Sequence, residues 1–82
     1  MTELILYLFQ GIVKNKDAVN LQKSQEGNTI TFTVSVHPDD YGIVMGQEGK
    51  VIQTIREMVE IAARGKTEQY HVDVEPIITE DI

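Results

Sequence analysis

The chain has no cysteine, no tryptophan, only two prolines and only seven basic residues. Without cysteine it can form neither a disulfide nor a thiolate metal site, and it has no thiol nucleophile. The apolar run at residues 4–9 is far too short to span a bilayer. Because this run follows Glu3 and lacks a basic leader and a cleavage site, a signal peptide is not expected either. These absences predict a cytoplasmic protein.

Length and charge limit what the chain can do. Its 82 residues, 41% of them hydrophobic, predict a single domain over residues 1–82 with one modest core. The formal net charge of −6 disfavours broad electrostatic binding of nucleic acid. The local charge is −5 over residues 67–82, −2 over residues 1–40 and +1 over residues 41–66. Residues 41–66 are therefore the part of the chain that repels phosphate least, and residues 76–82 form an acidic tail.

Hydrophobic periodicity predicts the element order α-β-β-α-α-β. Residues 3–14 carry apolar side chains at helix spacing, although residues 4–9 alone also fit a strand. A short strand near Val19 and Leu21 precedes a turn at Gly27 and Asn28. Residues 29–37 then alternate apolar and polar, which is typical of a half-buried strand. The turn predicts that these two strands form a hairpin.

The second half of the chain predicts two helices and a last strand. A short helix starts after Pro38 with Asp39 and Asp40 as capping residues, and it ends at Gly46. A second helix starts near Lys50. Its apolar face consists of Ile52, Ile55, Val59 and Ala62. The strand at residues 68–75 must then lie parallel to the strand at 29–37. The predicted fold is α+β, a three-stranded mixed sheet covered on one face by three helices.

Residues 46–49, Gly-Gln-Glu-Gly, lie between the two predicted central helices. Glycine lets another backbone come very close, and the N-terminal end of a helix favours an anion. This combination suits a sugar-phosphate chain, so the sequence predicts a binding site for single-stranded nucleic acid. It requires a bend at residues 46–49, and an unbroken helix there would contradict it. A plain helix-helix turn is the alternative interpretation of the two glycines.

This stretch resembles the KH domain in its type II, bacterial arrangement. The family pattern is matched at Val44, Gly46, Gly49, Lys50, Ile52, Ile55 and Arg56, with Met45 in place of isoleucine and Gly42 as a further family glycine. The resemblance covers residues 3–75 and extends to the small stand-alone bacterial KH proteins of the KhpA type.

The resemblance implies that Gly46, Gln47, Glu48 and Gly49 clamp about four backbone nucleotides of single-stranded RNA, as KH domains in general do. Lys50 is then a phosphate contact, and the bases lie in a shallow apolar groove lined by Gly42 and Ile43. Family members of this size form homodimers, pair with a larger RNA-binding protein that contains its own KH domain, and are associated with cell-envelope growth.

One departure supports a second hypothesis. The loop usually carries a basic residue, whereas this chain has Gln47 and Glu48. A carboxylate facing phosphate is repulsive. The alternative is therefore a protein-interaction or dimerisation subunit with a KH scaffold and weak or lost RNA binding, for which Val51 and Ile61 are candidate dimer contacts.

The remaining chemistry-bearing residues are predicted to be structural. His37 and His71 are predicted to face solvent, and Met45 and Met58 to lie in the core. Arg56 is predicted to be a surface ion-pairing residue, with Glu60 as a candidate partner. No nucleophile-base pair, carboxylate dyad or metal-ligand spacing is present in the sequence. The sequence predicts no catalysis, no cofactor and no metal.

Overall fold

A computed structural model of the chain describes residues 1–78, with Gln47 described by its backbone only. Two helices, α1 (Thr2–Gln10) and α2 (Pro38–Ala62), combine with three strands, β1 (Asn20–Glu26), β2 (Thr29–Val36) and β3 (Gln69–Pro76). A 3₁₀ turn at Lys16–Ala18 leads into β1. The predicted acidic tail lies outside the described residues from residue 79 onward.

The sheet has the order β1-β2-β3. β1 and β2 run antiparallel and are joined by a turn in which Gly27 has a φ of 61°. β2 and β3 run parallel, with Thr29 opposite Gln69 and Val36 opposite Pro76. A parallel pair needs a crossover connection, and α2 supplies it. The predicted hairpin and the predicted mixed sheet are confirmed.

The inward side chains of β2 form the centre of the core. Ile30, Phe32, Val34 and Val36 are all at most 5% exposed. The helices pack against them through Ile5, Phe9 and Val13 near α1 and through Ile52, Ile55 and Val59 of α2. Burying one such side chain stabilises the fold by about 1.5–3 kcal/mol. The predicted α+β fold, with helices on one face of the sheet, is confirmed.

α1 ends earlier than its apolar pattern predicts. The helix stops at Gln10 rather than at residue 14, and Gly11 follows it directly. The chain then turns, with the N–H groups of Ile12 and Val13 both donating to the Phe9 carbonyl at 3.0 Å. Val13 is nevertheless only 3% exposed. The predicted apolar stripe is right, and the predicted helix end is wrong because glycine lowers helix propensity at that point.

α2 contains a break in backbone conformation. Its helical assignment is continuous over 25 residues, yet Glu48 has a φ of 62° and Gly49 a φ of 73°. Right-handed helix requires φ near −63°. α2 therefore consists of an N-terminal segment, residues 38–47, and a C-terminal segment, residues 50–62. Two central helical segments are confirmed, but the end predicted at Gly46 is wrong because the break lies two residues later.

The C-terminal end of α2 differs slightly from its predicted pattern. Ala62 is exposed rather than part of the buried face, because the helix ends at that residue. Gly65 then takes a φ of 86° in the following turn. Within residues 1–78, no helix is both long enough and apolar enough to cross a membrane.

Candidate nucleic-acid interface

The N-terminal segment of α2 turns a bare face outward. Asp40 and Val44 are both fully buried, and residues four apart lie on the same side of a helix. Gly42 and Gly46 are also four apart and lie on the opposite side. Ile43, beside them, is 41% exposed. We call Gly42, Ile43 and Gly46 the glycine face, and it brings together three of the predicted site residues.

The two glycines of this face have no explanation within the fold. A Cβ atom added at Gly42 or Gly46 would meet, beyond the neighbouring residues of its own helix, no atom of the described part of the chain within 4 Å. Neither glycine has a positive φ, in contrast to Gly27, Gly49 and Gly65. Glycine in a helix interior nevertheless costs about 0.5–1 kcal/mol relative to alanine. Packing within the described residues therefore gives no reason for the missing side chains.

The break at Glu48 and Gly49 lies directly beside the glycine face. A positive φ is uncommon for residues other than glycine, and such strained conformations cluster at binding sites. A Cβ at Gly49 would meet only the Ile52 Cγ2 atom, at 3.7 Å. The predicted bend is thus present, although the residue that adopts the unusual conformation beside Gly49 is a glutamate.

The charged groups of the loop nearly cancel. Glu48 and Lys50 are both exposed to solvent, on either side of Gly49. The C-terminal segment of α2 starts here, so its positive dipole end adds a weak attraction for anions. The loop therefore offers one lysine beside a bare stretch of backbone and has little net charge.

Arg56 does not pair with Glu60 as predicted. Its Nε–H donates to the Val72 carbonyl at 3.0 Å, and Nη2 lies 3.8 Å from Asp73 Oδ1. Arg56 is thus a surface ion-pairing residue, as predicted, but its partner is Asp73 rather than Glu60. The candidate partner was wrong because β3 passes close to this helix face, and a pattern within the helix does not reveal a residue on a strand. Arg56 thereby joins α2 to β3. In the described sheet, β3 pairs with β2.

A shallow groove runs between the C-terminal segment of α2 and β3. It is lined by Arg56, Val59, Glu60, Ala63, Glu68, Gln69, Tyr70, His71, Val72 and Asp73. Its lining combines apolar side chains with charged side chains of both signs. Gly42 and Ile43, which the resemblance implied as groove lining, are not among these residues.

Asp40 has a role that sequence reasoning missed. It was predicted to cap its own helix, but that cap is formed by His37, whose Nδ1 accepts a hydrogen bond from the Asp39 N–H at 3.1 Å. The Asp40 carboxylate instead accepts bonds from the N–H of Lys14 at 3.0 Å and from the N–H and Nδ2 of Asn15 at 2.9 and 3.0 Å. No local pattern reveals such a contact, because the partners lie 25 or 26 residues away in the sequence.

These hydrogen bonds hold the pKa of the Asp40 carboxyl below its ordinary value. The bond from the Lys14 N–H lowers it most, burial opposes the shift, and the two bonds from Asn15 lower it further. The nearby His37 lowers it slightly more. The carboxylate is therefore ionised at neutral pH and fully hydrogen-bonded, which a buried charge requires.

The solvent exposure of three further residues tests the roles predicted for them. Met45 and Met58 are 36% and 45% exposed, so their prediction as core residues was wrong, because each lies beside rather than on the buried stripe of α2. His71 is exposed, as predicted. Within residues 1–78, no group of three or more acidic, histidine or cysteine side chains could hold a metal ion.

The order α-β-β-α-α-β, the mixed sheet and the glycine-bearing break between two helical segments define a KH domain of the type II arrangement. The family model described as "KhpA/KhpB, KH domain" matches residues 2–74. This match covers most of the chain, and the chain belongs to that family.

Several curated bacterial relatives support the assignment, each named "RNA-binding protein KhpA". The relative from Caldanaerobacter subterraneus subsp. tengcongensis is 31% identical over 74 residues, which cover 90% of this chain and 99% of the relative. The one from Halalkalibacterium halodurans is 28% identical, with 90% and 97% covered. The one from Streptomyces coelicolor is 35% identical over 66 residues, with 79% and 84% covered.

Proposed function

We propose that this protein binds single-stranded RNA without catalysis, in the cytoplasm, by clamping the sugar-phosphate backbone at residues 46–49. Family membership and the printed names of its relatives support RNA as the ligand. The structural observation that carries the clamp is the glycine face. Gly42 and Gly46 lack side chains at positions where the fold leaves room for them.

The proposed contact depends more on the close approach of the RNA backbone to the protein main chain than on charge. Without Cβ atoms at Gly46 and Gly49, a phosphate can reach the main chain near the start of the C-terminal segment. Lys50 supplies one positive charge, and Glu48 opposes it. If two or three phosphates are neutralised, the logarithm of the affinity should fall with the logarithm of salt concentration with a slope of about −2. Binding is therefore expected to be weak and moderately salt-dependent.

The bases would extend toward the shallow groove between α2 and β3. Among the residues that line it, Tyr70 is partly exposed and contributes an aromatic ring. Apolar and aromatic surfaces accept the faces of unstacked bases without strong sequence preference. Ile43, half-exposed beside Gly42, would cover the nucleotide nearest to the loop.

The direct test replaces Gln47 and Glu48 by aspartate, which places two carboxylates in the clamp. Aspartate tolerates the positive φ at residue 48, so the free energy of unfolding should change by no more than about 1 kcal/mol. We expect binding to a single-stranded RNA oligonucleotide, measured by fluorescence anisotropy, to be abolished.

The matched control replaces the same two residues by asparagine, which has the same shape and tolerates the same backbone conformation. Because this control removes the Glu48 charge, it should bind RNA at least as well as the wild type. Equal affinity of the aspartate variant and the wild type would refute the loop as the site.

A second candidate function is assembly with a protein partner, and a separate surface favours it. An apolar face lies between α1 and the C-terminal segment of α2, lined by Tyr7, Leu8, Gly11, Ile12, Val51, Thr54, Ile55 and Met58. No charged residue lines it, and Tyr7 and Met58 are 75% and 45% exposed. Surfaces of this kind mark interaction sites. We propose that it serves a homodimer or a heteromer with a larger KH-domain-containing RNA-binding protein.

Sedimentation velocity at several concentrations tests the homodimer. Met58→Asp places a charge on this apolar face and should shift the chain toward monomer. Gln53→Asp, on an exposed side of the same helix, is the control and should leave the sedimentation coefficient unchanged. A wild-type chain that remains monomeric at every concentration would exclude the homodimer, and repeating the series with RNA would show whether assembly and RNA binding are coupled.

A further inference from the structure

The N-terminal segment of α2 is held to the rest of the protein by few contacts. Of its residues with described side chains, only Asp40 and Val44 are fully buried, and Tyr41 packs partly against the core. Among the described side chains of residues 38–46, only the Asp40 carboxylate makes hydrogen bonds to another part of the chain. Apolar packing at Val44 has no preferred direction, whereas hydrogen bonds do.

The Asp40 carboxylate is bound from both oxygens. Oδ1 accepts from the Lys14 N–H at 3.0 Å, and Oδ2 accepts from the N–H and Nδ2 of Asn15 at 2.9 and 3.0 Å. All three donors belong to the connection that follows α1. Three bonds from one side determine both the rotation of the helix about its axis and its position along that axis.

The rotation of this segment decides where the glycine face points. Gly42 and Gly46 lie on the side opposite Asp40, two and six residues further along the helix. A helix turns by 100° per residue, so any rotation that releases Asp40 moves both glycines by the same angle. The connection after α1 and the glycine face are therefore linked through one side chain.

We propose that Asp40 is a positioning residue for the RNA interface, which it holds in place by its hydrogen bonds to Lys14 and Asn15. This inference rests on the proposed function for its effect on RNA, and on the fold alone for its effect on the helix. Asp40 contacts no RNA, and its influence passes through the orientation of the N-terminal segment.

The test compares variants of the Asp40 contact with a core variant that lowers stability and leaves this contact in place. Asp40→Asn keeps the side-chain shape but turns an amide N–H₂ toward N–H donors, which removes at least one of the three bonds. A core variant of β2, Val34→Ala, lowers the melting temperature without removing any of the hydrogen bonds of Asp40. Both are measured at a temperature well below their melting transitions, so that each is fully folded. A second variant, Asn15→Ala, removes the Nδ2 donor only.

In Asp40→Asn, we expect amide hydrogen exchange to accelerate at residues 41–46 and remain slow in β2 and β3. If about a fifth of the molecules keep the competent orientation, the apparent Kd for RNA rises about fivefold. Asn15→Ala should show the same pattern more weakly. Val34→Ala should leave RNA affinity within a factor of about two, because its binding surface is intact.

Two results would overturn the proposal. One is unchanged exchange at residues 41–46 in Asp40→Asn. The other is an equal loss of RNA affinity in Val34→Ala, because the effect would then follow stability rather than orientation. If the wild type itself does not bind RNA, the proposed function fails, and the hydrogen-exchange comparison still decides whether Asp40 positions the helix.

Discussion

The two segments of α2 use the same helical conformation for different purposes. The C-terminal segment buries Ile52, Ile55 and Val59, each at most 3% exposed, against the sheet. The N-terminal segment buries one apolar side chain, Val44, and one carboxylate, and it turns two glycines outward. One segment holds the fold together, and the other presents a surface.

This difference shows how to separate structural glycines from functional ones. Gly27, Gly49 and Gly65 have positive φ values, so the backbone itself explains them. Gly42 and Gly46 are helical and have free space around them, so alanine would fit and would stabilise the helix. The described fold gives no steric reason for these two glycines, whereas the proposed contact with a ligand that approaches the main chain would require them.

The largest expected contrast is in stability. Ile55→Ala should lower the free energy of unfolding by about 3 kcal/mol, because it leaves a cavity under the C-terminal segment. Ile43→Ala, in the N-terminal segment, should change it by no more than about 0.5 kcal/mol, because the side chain is largely exposed. Urea denaturation of the wild type and both variants measures these free energies of unfolding. Equal losses would mean that the two segments are packed alike.

The next contrast concerns pH. The pKa of the Asp40 carboxyl is lowered in the folded state. The stability that the ionised carboxylate contributes is therefore fully present above its pKa in the unfolded chain, about 3.9, and is lost as the pH falls through its lower pKa in the folded state. The melting temperature of the wild type should therefore approach that of Asp40→Asn as pH is lowered below about 4. Thermal unfolding from pH 7 to pH 2 checks this. A constant difference over that range would show that the carboxylate charge does not matter.

The smallest effect is expected at Lys50, at the start of the C-terminal segment. Lys50→Gln should weaken RNA binding uniformly across sequences and reduce the steepness of the salt dependence by about 0.7 to 1. Lys66→Gln, beyond the end of α2, removes the same charge away from the loop and serves as the control. An unchanged slope in Lys50→Gln would place the phosphates elsewhere.

Much of the fold could be predicted because its signals are local. The alternation from Thr29 to Val36 has a period of two, so it identifies both the strand and its buried face. The spacing of Ile52, Ile55 and Val59 identifies a helix in the same way. The parallel pairing of β2 and β3 follows from the two helical segments between them.

The parts that could not be predicted depend on distant partners or on context. Asp40 looks like a capping residue until the chain after α1 folds back onto it, and Arg56 looks like a partner of Glu60 until β3 is in place. The exact position of the break in α2 is a third feature that the sequence did not predict. Glycine is the residue expected to take a positive φ, yet Glu48 takes it together with Gly49 while Gly46 stays helical.

The most direct measurement is Gly46→Ala, with stability and RNA affinity determined on the same sample. The added Cβ meets no described atom within 4 Å outside the neighbouring part of its own helix, so the free energy of unfolding should rise by about 0.5–1 kcal/mol. RNA binding should weaken strongly, because the methyl group occupies the space that the sugar-phosphate chain needs. A variant that is more stable and binds RNA as well as the wild type would contradict the glycine face as the site of contact.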